Sequence, residues 1–223
     1  MQQHTDKVFD RDLQKLKEHI LKMGSLVEEM IARSVLALER HDSHLARDII
    51  SEDKEVDNLE MEIDDLCLRI LALYQPAAVD LRFVAVGMKI STDLERMGDL
   101  AVNISRQVLD LNQTPPFINH IELTKLARKS QNMVKGALDA FVARDVAKAK
   151  SVCEADDEVD ALDHENFDEL VKIMQNDPNT VPRSVRLLLI SRQLERIADH
   201  ATNVAEEVTF FVKGLDMRHR HDE

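Results

Sequence analysis

Tryptophan is absent from this 223-residue chain, tyrosine occurs once, and glycine and proline occur five times each. So few aromatic and turn-forming residues exclude a sandwich or barrel of short strands. With 32% of residues charged and few helix breakers, the composition points to long helices. No run of 18 apolar residues occurs, so no segment is suited to cross a membrane. The opening MQQHTDKVFDRDLQK lacks the apolar core of a secretory signal, and a cytoplasmic location is expected. The two cysteines, Cys67 and Cys153, have no CxxC spacing and read as reduced side chains inside helical patterns. Phosphate loops of the GxxxxGK[ST] and GxGxxG kinds are missing, as is a GxSxG elbow. No glutamate has a histidine three residues later, which excludes a ferritin-like di-iron centre. A formal charge of −13 and a pI near 5.1 leave nucleic acid and anionic lipid repelled.

What the chain does have is a helical period. Leu13, Leu16, Ile20, Met23, Val27 and Met30 recur at alternating three and four residues. So do Val56, Leu59, Ile63, Leu66, Ile70 and Leu73, and again Leu94, Met97, Ala101, Ile104, Val108 and Leu111. Such seams belong to helices packed nearly antiparallel. Breaks near 40–42, 75–76, 114–116, 144–145 and 176–178 divide the chain into six helices, at roughly 6–40, 43–74, 79–112, 119–143, 146–176 and 181–213.

The pattern is duplicated. Residues 94–108, LERMGDLAVNISRQV, and 194–208, LERIADHATNVAEEV, agree at seven of fifteen places, where ordinary composition gives about one. MIARSVLALERHD from Met30 aligns with MVKGALDAFVARD from Met133 at an offset of 103, and Asp53–Asp57 aligns with Asp156–Asp160 at the same offset. Each half therefore reads as helix-helix-helix. The expected fold is all-α, two tandem pseudo-repeated three-helix bundles over 1–114 and 117–223, jointed at Pro115-Pro116.

Each half also carries two acid pairs spaced i,i+4: Asp53/Asp57 with Glu95/Asp99, and Asp156/Asp160 with Glu195/Asp199. Asn103 and Asn203 extend the third-helix rows by one turn. The helical period places these rows away from the apolar seams, so the acids are expected outside the core. A solvated face is the ordinary reading of such a row. Against it, like charges at i,i+4 repel by a few tenths of a kcal/mol, and a solvating face usually alternates sign. In an antiparallel pair the rows can converge, and oxygen-only ligands suit hard cations such as magnesium, manganese, calcium or iron. Zinc sites more often recruit His or Cys, which the rows lack.

Nine histidines invite a phosphotransfer reading, but His41, His44, His164, His219 and His221 have no counterpart in the other half and read as surface residues. His200 reads first as a surface residue and second as a nitrogen ligand. Arg96 and Arg196 adjoin the acids, and an i,i+1 pair diverges around a helix, so they read as partners of other helices or of protein ligands.

Three segments, LYQPAAVDLR (73–82), DLERMGD (93–99) and QLERIAD (193–199), resemble the PhoU family of phosphate-transport regulators, in order and over essentially the whole chain. All four acidic pairs match that family's E/D-x-x-x-D signature; Ala198 and His200 stand where the first copy has Gly98 and Leu100. The resemblance implies cytoplasmic paired bundles, often homodimers, with divalent ions (Mg, Mn, Fe or Zn) held by the acidic rows. It also implies a non-enzymatic adaptor that links a PstB-type transporter ATPase to a PhoR-type sensor kinase and restrains the phosphate-starvation response. The ligand set so implied is Asp53, Asp57, Glu95 and Asp99 in one half and Asp156, Asp160, Glu195 and Asp199 in the other, to which the row spacing adds Asn103 and Asn203. A metal-independent scaffold and a small metal-dependent or phosphotransfer enzyme are the alternatives.

Overall fold

A computed structural model describes residues 2–114 and 121–214, with side chains from residue 7 onward. The expected joint at Pro115-Pro116 and the histidines at 219 and 221 lie outside the described residues. Helix α1 spans Gln2–Arg40, α2 Ser43–Tyr74, α3 Ala78–Leu111, α4 Leu123–Ala143, α5 Val146–Glu154, α6 Asp156–Asn176 and α7 Val181–Lys213, with a 3-10 turn at Pro178–Thr180. No strand occurs among the described residues.

The repeat register is written into the turns. His41 and Arg144, equivalent at offset 103, both take left-handed backbone (φ 53 and 54) and end the first helix of their half. Asp42 and Asp145, the next residues, each cap the following helix by accepting two backbone N–H groups. The carboxyl of Asp42 is correspondingly held below its usual range, chiefly by the Leu45 amide.

One expected helix is two. The stretch 146–176 breaks at Ala155, whose N–H turns back to Val152 in 3-10 fashion. A difference in charge accompanies the break. Glu154, Asp156, Asp157 and Glu158 crowd one turn, whereas the unbroken α2 has Lys54 where α6 has Asp157. Breaking the helix puts three acids in the first turn of α6, where the helix dipole favours them.

The apolar seams pack as expected. Leu16, Ile20, Met23, Val27, Met30, Val56, Ile63, Leu94, Met97, Ile104 and Val108 are all buried. Leu73 is the exception at 65% exposed, because it lies in the last turn of α2. Buried apolar residues of both halves join in one continuous core. Phe83, Phe141 and Phe211 meet across the halves, with the Phe83 and Phe141 rings stacked at 6.0 Å. At Gly24 an added Cβ would lie 2.8 Å from a Leu138 methyl, so this glycine lets α1 and α4 close together.

The two third helices form the centre, and their direction follows from who meets whom. Arg82 donates to the Phe211 carbonyl, Lys89 pairs with Glu207, Asp93 meets His200, and Arg186 reaches Gln107 and Asp110. Residue numbers climb on α3 as they fall on α7, so the helices run antiparallel. Buried Arg183 donates to the Leu111 carbonyl at 2.9 Å and to Thr114, closing the end of α3 against the start of α7. No described helix is long and apolar enough to cross a membrane.

Candidate metal centre

In the second half α7 carries Glu195 and Asp199 one turn apart, and α6 brings Asp156 and Asp160 against them. Carboxylate oxygens of Asp160, Glu195 and Asp199 lie within 4.8 Å of one another, the one such gathering of three His, Cys, Asp or Glu groups among the described residues. Oxygens bound to one cation at about 2.0–2.6 Å can be at most about 5 Å apart, so this spacing suits a shared ion.

The expectation that these acids sit outside the core needs correcting at Glu195, which is only 6% exposed. Its Oε1 accepts from Arg192 at 2.6 Å, while its Oε2 is buried and has no hydrogen-bond partner. Burial, then the charge of Asp199, pushes its pKa up to about 7. Asp156 is half-buried, and burial followed by Asp199 and Asp160 pushes it up to about 6. Its Oδ1 is likewise buried without a partner; the Thr202 hydroxyl draws the pKa down a little but stands outside good hydrogen-bond geometry. Asp199 is raised by desolvation and then by Asp160, although its side chain is exposed and solvent screens the effect. Buried carboxylate oxygens with no donor facing them are what a cation satisfies, so the residues fit a hard divalent ion.

The first half assembles the same acids more loosely. Asp53 and Glu95 are half-buried, and Asp57 is exposed. Desolvation and then Asp57 and Asp99 raise Asp53, and desolvation and then Asp99 raise Glu95, so the α2 and α3 rows do face each other. Glu60 of α2, absent from the expected set, adds its charge to Glu95. Arg96 serves both helices, its charge also offsetting Glu60 of α2. It folds back on its own row, 3.4 Å from Glu95 and 3.7 Å from Asp99, and Arg106 offsets Asp53.

The two asparagines make hydrogen bonds of their own. Asn103 accepts from Arg106 on its own helix at 3.0 Å. Asn203 donates across to Asp93 of α3 at 3.3 Å. Eight residues beyond the first acid, a helical row has turned by about 80°, enough to leave one neighbour and meet another. His200 is neither a free surface residue nor a ligand of the cluster, since its Nδ1 lies 2.9 Å from the Asp93 carboxylate. Sequence reasoning missed Asp93, Lys89 and Glu207, which tie the halves together. The signal was available only as polar residues lying off the acid rows on the two central helices.

The PhoU domain matches this chain twice, over residues 20–108 and 123–208. The chain belongs to the PhoU family. It is 38% identical over 94% of its length, and 96% of the relative's, to the phosphate-specific transport system accessory protein PhoU homolog of Clostridium acetobutylicum. The fold superposes on the crystal structure of PhoU from Pseudomonas aeruginosa with a TM-score of 0.90 at 38% identity, covering 93% of this chain and 100% of that one. It also matches the phosphate transport system regulatory protein PhoU from Streptococcus pneumoniae, with a TM-score of 0.87 at 31% identity over 93% of this chain and 98% of that one.

Proposed function

We propose that this PhoU-family chain is an accessory protein of phosphate transport that restrains the phosphate-starvation response. On this reading it works at the cytoplasmic face and without catalytic turnover. It couples a PstB-type transporter ATPase to a PhoR-type sensor kinase, and it acts as a homodimer. A divalent ion belongs to the reading, held by Asp156, Asp160, Glu195 and Asp199, with Asp53, Asp57, Glu95 and Asp99 as a looser second place. The observation that carries it is the buried, unpaired Oε2 of Glu195 beside the oxygens of Asp160 and Asp199. When bound, the ion would supply fixed positive charge. The chain's own part is to present oxygens from two helices, so that neutralising their repulsion also fixes the spacing of α6 and α7. Oxygen donors favour magnesium, manganese or iron over zinc.

The test is metal content of the full chain after incubation with Mn²⁺, Fe²⁺, Mg²⁺ or Zn²⁺ and dialysis, for the wild type and for Glu195→Ala/Asp199→Ala. Loss of the tightly held ion in the variant is the expected result, and unchanged content sinks the metal assignment. Association with the transporter ATPase should weaken on chelation. Binding that ignores chelators but falls steeply with salt would instead identify a metal-independent scaffold.

A further inference from the structure

The matched rows of α3 and α7 differ at a position where shape is kept and chemistry is not. Where α3 has Val102, α7 has Thr202, a side chain of nearly the same form that carries a hydroxyl. Val102 is buried. The Thr202 hydroxyl oxygen is buried too, and it has no hydrogen-bond partner. Other helical hydroxyls find one locally. Thr209, two turns further along α7, donates to the carbonyl four residues back, as do Ser105, Ser130 and Ser151 on their own helices.

What the Thr202 hydroxyl faces is Asp156. It lies near enough to favour that carboxyl's charged form, yet the two are not aligned as a hydrogen bond, and Asp156 Oδ1 is itself buried without a donor. A buried donor and a buried acceptor thus stand beside each other, both unsatisfied, which costs free energy until they turn together. Chemistry fixes the direction of the bond they would make, since a carboxylate only accepts and the hydroxyl has one proton to give.

Asp156 also has more need of an anchor than its counterpart Asp53. Asp53 lies inside the unbroken α2, whereas Asp156 is the first residue of α6, directly after the break at Ala155. A second replacement falls beside the same acid. At Gly98 an added Cβ would lie 3.8 Å from Asp53 Oδ1, and the second half has that Cβ as the buried Ala198. The two changes are a methyl group that takes up room for water and a hydroxyl that can answer the carboxylate in its place.

We propose that Thr202 is a positioning residue of the second-half ion site: its hydroxyl donates to Asp156 Oδ1 and leaves the other oxygen of Asp156 for an ion shared with Asp160, Glu195 and Asp199. This role presupposes the metal reading above, whose separate mark is the buried, bare Oε2 of Glu195. It gives the second half a device that the first half, with Val102, does not have. Outer partners that orient a metal ligand typically change affinity by about 10–100-fold.

Calorimetric titration of the full chain with Mn²⁺ tests this, in a Glu95→Ala/Asp99→Ala background that isolates the second-half site. Thr202→Val keeps the shape and removes the hydroxyl, and it should weaken binding about tenfold without lowering the ion-free melting temperature. Thr202→Ser keeps the hydroxyl and gives up the methyl group, and it should restore most of the affinity. A side chain that merely packs would give the reverse order. If Thr202→Ser binds no more tightly than Thr202→Val, the positioning role is overturned and the metal reading stands. A background chain that binds no Mn²⁺ removes both. Crystals of the Mn²⁺-loaded wild type give a check that needs no variant: Thr202 Oγ1 should lie within about 3.0 Å of an Asp156 oxygen. A hydroxyl turned back to the Ala198 carbonyl instead would overturn the proposal.

Discussion

Glu95 of the first half is half-buried and lies against Arg96, whereas its counterpart Glu195 is buried and has one oxygen with no partner. Arg96 lies against both Glu95 and Asp99, one positive charge shared by two carboxylates of the same helix. In the second half Arg192 satisfies one oxygen of Glu195 and leaves the other buried and bare. Duplication copied the carboxylates, but the surroundings diverged. The lesson is that equal residues at equal spacing do not make equal sites. Burial and the nearest cation decide how strongly each set demands a positive ion.

The largest effect expected from this difference is on metal-linked stability. Mn²⁺ at a hundred times its dissociation constant adds about 2.7 kcal/mol by mass action, which for a chain of this size is a rise of roughly 5–10 °C in melting temperature. Glu195→Ala/Asp199→Ala should abolish most of that rise, and Glu95→Ala/Asp99→Ala should leave most of it. Differential scanning calorimetry with and without Mn²⁺ measures both. Equal losses would mean the halves bind alike and the contrast drawn from burial is wrong.

Without metal the same contrast becomes a pH dependence. Glu195 is held at about 7 in the folded chain, against 4.5 ordinarily. A carboxyl whose folded pKa is raised binds its proton more tightly when folded. Its contribution is therefore present below about pH 4.5 and is lost as pH rises through about 7. Glu195→Gln should accordingly leave metal-free stability unchanged near pH 4.5 and increase it near pH 7.5, by on the order of 2 kcal/mol. Glu95→Gln should gain less, because Glu95 is less deeply buried. Urea denaturation at the two pH values in a chelating buffer gives the comparison. A Glu195→Gln protein less stable than wild type at pH 7.5 would show that the carboxylate has a partner the structure does not contain.

Much of this architecture could be read directly. The three-four seams named the core, from Leu16 to Val108, because burial on a helix is periodic and the period survives in sequence. Asp42 and Asp145 marked two helix starts for an equally local reason. The acid pairs were legible as pairs, yet their depth was not. Glu195 lies on the flank of its seam, and whether a flank is open or covered depends on the helix packed against it. The contacts of Asn203 and His200 with Asp93 were hidden for the same reason, since α3 approaches α7 from a side that spacing along α7 alone does not reveal. The break at Ala155 was a failure of another kind. Its signal, four acids around one alanine, was present but carried no glycine or proline to flag it.

The smallest predicted effect asks why that break exists. If crowded charge causes it, Asp157→Lys, which gives α6 the residue that Lys54 provides in α2, should heal the helix. Relief of like-charge pairs is worth only a few tenths of a kcal/mol. A cation in the first turn of an unhealed α6 would oppose the helix dipole by about 0.3–1 kcal/mol. The two causes therefore predict opposite signs. Slower hydrogen exchange of the amides of residues 155–158, with stability equal or slightly raised, makes electrostatics the origin of the break. Faster exchange with a small loss of stability makes it a consequence of how α5 packs on α4 and α7. In that second case the charges at 154–158 follow from the break, each placed where a helix start already welcomed an acid.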